Sequence, residues 1–67
     1  MKFYRAMKAL QEGRYVKFPS GRYLTIVKSE HTDSYWFEDL DGSSQIDICI
    51  DAYDIQHHNW EIYDAVS

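Results

Sequence analysis

Between Arg14 and Tyr23, cations and rings alternate: Arg14-Tyr15, Lys17-Phe18 and Arg22-Tyr23, with Tyr4 and Arg5 just before them. Arginine forks hold phosphate oxygens in pairs and aromatic faces stack on bases, so this interleaving suits a nucleotide or single-stranded nucleic acid. A half-buried hairpin also produces such a pattern, because alternation places Arg and Lys on its wet side. Other reactive types are less organised. His57-His58, His31, Asp54 and Cys49 match no zinc spacing, and adjacent histidines on a strand point to opposite faces. Cys49 lies between Ile48 and Ile50 with Asp47 and Asp51 beyond them, without the electropositive surroundings that make a nucleophilic thiolate. No carboxylate pair stands out for acid–base work. The expectation is therefore no enzyme, no metal and no cofactor.

The net charge of −4 conceals a sharp division. All seven bases (Lys2, Arg5, Lys8, Arg14, Lys17, Arg22 and Lys28) precede residue 29, where Glu12 is the only acid; residues 29–67 hold ten acids and no base. Sixty-seven residues cannot make two cores, so residues 1–67 are expected to form one small domain whose halves fold against each other. Opposite charges on paired strands would then meet. The sharper consequence is a polarised surface, with a basic face for a compact anion and an acidic half that repels long nucleic acid. With a single cysteine no internal disulfide is possible, and self-association is the expected aid to so thin a core. No apolar run approaches the ~20 residues of a membrane span, and one thiol with no export signal leads to the expectation of a cytoplasmic protein.

The elements follow from periodicity. Phe3, Ala6, Met7 and Leu10 have the spacing of an amphipathic helix over residues 2–12, closed by Gly13. The period then becomes 2: residues 14–18 and 22–28 read as a hairpin around Pro19-Ser20-Gly21, and 34–39 as a third strand. Asp41-Gly42 turns into residues 45–50, where Ile46, Ile48 and Ile50 alternate with polar positions. Residues 52–58 read as a turn or one helical turn, and 59–63 as a closing strand. The expected fold is α+β: one N-terminal helix packed on a twisted antiparallel sheet of four to five strands. Phe3, Ala6, Met7, Leu10, Val16, Phe18, Leu24, Ile26, Trp36, Ile46, Ile48, Ile50, Ile55, Trp60 and Ile62 make the expected core. Period alone leaves open whether Trp36, or Tyr35 with Phe37, faces inward. Six tyrosines exceed what such a core holds, so several should line the surface, a groove or a subunit seam.

The two ends carry a resemblance. The opening MKFYRAMKALQEGRYVKF, with Phe3, Ala6, Leu10, Gly13 and Val16 in register, resembles the start of the second Thoeris anti-defence family, small phage proteins with a helix of the form F-x-x-A-x-x-x-L-x-x-G and a basic strand. The close, DIQHHNWEIYD, is similar to that family's terminal strand at Asp54, Ile55, Trp60, Glu61 and Ile62. Where the family carries a Gly-Trp pair after its first basic strand, this chain has Ser20-Gly21 and then Arg22. The resemblance implies a homo-oligomer, a dimer or tetramer, that sequesters a cyclic nucleotide immune messenger without cleaving it in the host cell cytoplasm. In that role Arg14, Lys17 and Arg22 would bond phosphates, Tyr15, Tyr23 or Trp36 would stack on a base, and Asp54 and Asn59 would read polar edges. The alternative expectation is an inhibitor that lays its acidic strands on a host nuclease or defence protein; a third is a structural module with no ligand.

Overall fold

A computed structural model describes residues 2–64. Helix α1 (Phe3–Gln11) is followed by β1 (Val16–Lys17), β2 (Tyr23–Lys28), β3 (Tyr35–Asp39) and β4 (Ser44–Gln45), then a short helix α2 (Ala52–His57). The strands form an antiparallel meander in the order β1-β2-β3-β4. The chain's last described stretch returns to the free side of β1. Val16 bridges Ile62, and Lys17 N–H donates to the Glu61 carbonyl (2.8 Å) while Tyr63 N–H donates to that of Tyr15 (2.8 Å). The expected α+β arrangement is what the chain adopts. Among the described residues no helix is long and apolar enough to cross a membrane.

Helix α1 forms where its spacing predicts. Ala6 and Leu10 are buried on the sheet side together with Ala9, while Arg5 and Lys8 are exposed. Its end is a Schellman closure: Gly13 N–H donates to the Leu10 carbonyl (3.1 Å) and Arg14 N–H to that of Ala9 (3.0 Å). That geometry needs a left-handed residue, and Gly13 supplies it with φ +82°. Helix α2 opens with a reciprocal capping box, in which the Asp51 carboxylate accepts Asp54 N–H (2.9 Å) and the Asp54 carboxylate accepts Asp51 N–H (3.3 Å).

The core consists of Ala6, Ala9, Leu10, Val16, Phe18, Leu24 and Trp60, with Phe3, Met7, Ile26, Phe37, Ile48, Ile50 and Ile62 packed around them. The rings interlock edge to face: Trp60 meets Phe3 at 5.3 Å and Phe18 at 5.4 Å between centroids, and Phe18 meets Phe37 at 5.3 Å. Three sequence expectations for the core are corrected here. Phe37, registered with Ile26, takes the inward position, and Trp36, registered with Val27, takes the other face. Ile46 is 87% exposed, because the β3–β4 ladder ends at Phe37↔Gln45 rather than running to residue 50. From there residues 46–59 must carry the chain across four strand spacings, ~19 Å, to reach β1's far side, so the alternating segment crosses instead of pairing. Ile55 is 43% exposed on α2, which buries none of its residues.

Asp39 is the buried carboxylate of the sheet. It faces the core side opposite Leu24, and its Oδ1 accepts the N–H groups of Asp41 (2.9 Å) and Ser43 (3.0 Å). Oδ2 accepts the Gln45 amide (3.1 Å) and an Arg22 guanidinium N–H (3.4 Å). The carboxylate thus holds the β3–β4 turn from inside, with Gly42 at φ +81° completing it. Asp39→Ala is expected to lower stability by about 2–3 kcal/mol, since hydrogen bonds to a charged group are lost and donors are stranded. Arg22→Ala should cost under about 1 kcal/mol, because the Arg22 side chain is 61% exposed and its ion pair is screened. Urea unfolding of both variants checks the difference; equal losses would mean that the ion pair, rather than the turn, carries the stability.

Candidate ligand cleft

Two surfaces gather residues capable of recognition. The first is a cleft of about 560 Å³ between the end of α1 and the far ends of β2 and β3. Leu10, Gln11 and Gly13 form its helical side, and Ile26, Lys28, Tyr35, Trp36 and Phe37 its sheet side. The local sequence produces this gap. Gly13 ends the helix abruptly, while β2 and β3 continue to the Lys28↔Tyr35 pair. The Lys28 ammonium stands 6.0 Å from the centre of the Tyr35 ring, at the outer reach of a cation–π contact. Apolar walls with a few polar groups at the rim are the usual form of a small-molecule site, and this volume lies within the usual range. No carboxylate, thiol or imidazole belongs to the lining.

The second surface is the outer face of the sheet. Strand alternation puts Tyr15 and Lys17 of the first strand region, Tyr23, Thr25 and Val27 of β2, and Trp36 and Glu38 of β3 on it. Asn59, Glu61 and Tyr63 extend it along the returning segment. Its polar groups bind one another. Glu61 accepts from the Asn59 amide (3.0 Å) through Oε1 and from the Tyr23 hydroxyl (3.4 Å) through Oε2, and Trp36 Nε1–H donates to Glu38. The Tyr23 and Tyr63 rings meet edge to face at 5.3 Å.

The expected site residues are divided between these surfaces and others. Tyr15, Lys17, Tyr23, Trp36 and Asn59 share the outer face, and Trp36 also lines the cleft. Arg14 follows Gly13 at the start of the hairpin, and Arg22 lies beside its turn, where it bonds Asp39. Arg14 donates its N–H into the end of α1 and the Arg22 carbonyl accepts Phe18 N–H at the hairpin turn, so the two arginines sit at opposite ends of the first strand pair. Asp54 is occupied in the α2 cap. His57 packs against Tyr53 with ring centres 4.6 Å apart, and His58 against Trp60 at 4.6 Å with Nε2 2.9 Å from the Lys17 carbonyl oxygen. Among the described residues, no group of three His, Cys, Asp or Glu could hold a metal ion.

Sequence reasoning did not single out Gln11, Lys28 and Tyr35, which line the cleft. Their only sequence signal is that each lies at the end of an element; which ends meet is decided by long-range pairing. The expected meeting of opposite charges is confined to one ion pair among the described residues, Arg22 with Asp39. Among the described residues, no carboxylate lies within 4.0 Å of the side-chain nitrogens of Lys2, Arg5, Lys8, Arg14, Lys17 and Lys28. Comparison of the chain with protein-family models, with curated proteins and with solved structures finds no match.

Proposed function

We propose that the protein is a non-catalytic binding protein that sequesters a small phosphorylated ligand carrying an aromatic base, with a cyclic nucleotide immune messenger as the ligand class and the host cell cytoplasm as its place of action. The observation that carries this reading is the cleft: aromatic and apolar walls with one ammonium, Lys28, that has no ion-pair partner among the described residues. A base stacked on Tyr35 keeps its π-face out of water, and the Gln11 amide can both donate to and accept from the base edge. Lys28 supplies a charge-assisted bond to a phosphate oxygen. In this reading the ligand is held and released intact. The resemblance of the chain's two ends to phage messenger sponges points the same way.

A second reading, an inhibitor of a host nuclease or defence enzyme, is favoured by one feature. Glu30, Asp33, Asp41, Asp47 and Asp51 are exposed, and none is paired with a cation among the described residues. Such a surface can dock on a basic groove.

Thermal unfolding with cyclic di- and trinucleotides and cyclic ADP-ribose isomers separates the readings. A ligand at a hundredfold excess over its Kd adds about 2.7 kcal/mol of stability, a rise of roughly 10–20 °C for a domain of this size. Lys28→Ala and Tyr35→Ala are each expected to weaken binding by about 10- to 100-fold, the usual worth of a charge-assisted bond or a stacked base, while leaving the unfolding midpoint of the free protein nearly unchanged. Absence of a shift with every messenger, together with retention of one host protein on the immobilised chain, would replace the first reading by the second.

A further inference from the structure

Residues 46–50 have the most regular strand pattern in the chain, yet the fold gives them no strand partner. Ile46, Ile48 and Ile50 alternate with Asp47 and Cys49, but none of the five makes a backbone hydrogen bond to another described residue. Ile48 and Ile50 lie against the core, and Asp47 and Cys49 are exposed. Ile46, at 87%, is the most exposed large hydrophobic residue of the described chain. Proteins usually guard such edges with lysine or proline, and no Lys, Arg or Pro follows residue 28. Local pattern and surroundings therefore disagree, and a strand from outside removes the disagreement.

The geometry points to residues 46–50 as a homodimer interface, in which the segment pairs antiparallel with the same segment of a second copy across a two-fold axis at Ile48. The sequence is self-complementary in that register. Ile46 stands opposite the partner's Ile50, Ile48 opposite the partner's Ile48, and Asp47 opposite the partner's Cys49. An axis at Asp47 or Cys49 sets carboxylate against carboxylate, which is destabilising. An axis at Ile46 or Ile50 leaves isoleucines opposite polar or small residues. Only the axis at Ile48 pairs all three isoleucines and opposes no acids. It also lays exposed Ile46 over the partner's Ile50, at the margin of that copy's core, so the two cores become continuous. The pairing is isologous, as closed dimers require. It gives the expected homo-oligomer its surface, and since none of residues 46–50 lines the ligand cleft, it stands or falls separately from the ligand reading.

Sedimentation equilibrium of the free protein tests the interface. The wild-type chain is expected at twice its 8.0 kDa, or a larger even multiple, with a thermal midpoint that rises with protein concentration. Ile46→Lys, a change at an already exposed position, is expected to give an 8.0 kDa species with an unchanged far-ultraviolet spectrum and a concentration-independent midpoint. Cys49, the only cysteine, reports the register without any substitution. Across an axis at Ile48 the two Cys49 side chains are diagonal neighbours with Cβ atoms about 7–8 Å apart. A short bismaleimide should join them, whereas oxidation should not, because a disulfide needs about 3.5–4.5 Å. A monomeric wild-type chain, an Ile46→Lys variant that still associates, or a wild-type oligomer that the bismaleimide leaves unlinked would each overturn the proposal.

Discussion

The burial of Trp60 is the constraint on which the rest of the chain depends. Its ring is 1% exposed and receives Phe3 from the helix, Phe18 from the end of the first strand and His58 from the approach to the last segment. None of those elements is stable alone. A nine-residue helix is marginal in water, and a two-residue strand is defined only by its neighbours. Seating Trp60 brings Ile62 beside Val16, so that Val16 is flanked by strand partners on both sides. The same placement dictates the route of residues 46–59. They begin at the β4 edge and must end on the opposite side of β1, so the chain spends its second alternating segment on a crossing. The unpaired state of residues 46–50 is therefore a consequence of where the tryptophan sits.

The division of charge survives folding for a related reason. Bases occupy the exposed side of α1 and the first hairpin, acids the loops after β2, β3 and β4, and the meander brings one cation against one carboxylate. That carboxylate, Asp39, is an inward-facing residue with two backbone amides and a side-chain amide already bound to it. Arg22 completes its coordination from the solvent side. Because the remaining cations have no ion-pair partner among the described residues, the chain presents basic and acidic regions separately, despite a net charge of only −4.

Local chemistry was legible and long-range geometry was not. The helix could be read from Phe3, Ala6, Met7 and Leu10, its end from Gly13, and both hairpin turns from Pro19-Ser20-Gly21 and Asp41-Gly42, because each depends on neighbouring residues alone. The burial of Trp60 and Val16 followed from alternation. Ile46 and Ile55 could not be placed by period, since both belong to the crossing segment whose path is set by contacts far away in sequence. The choice between Trp36 and Phe37 needed the register with β2, where Phe37 falls opposite inward Ile26. The cleft was hidden for the same reason. Its helical side and its sheet side are separated by more than ten residues of sequence, and only Trp36 among its lining had been expected in a site.

The proposed reading places the anion in the cleft and not on the outer sheet face for an electrostatic reason. The outer face holds more rings, but Lys17 is its only cation and Glu38 and Glu61 stand on the same surface. A phosphate there meets two like charges for one opposite. On that face both Glu61 oxygens are engaged, by Asn59 and by Tyr23. Its aromatic residues therefore read as the packing of a sheet surface. Among the described residues the cleft lining holds one ammonium and no carboxylate, and the Lys28 ammonium stands over the Tyr35 ring with no ion-pair partner. The interleaved Arg–Tyr pattern of the first hairpin thus lies at the basic end of the molecule, while the proposed ligand contacts lie at the strand ends and the helix terminus beside it.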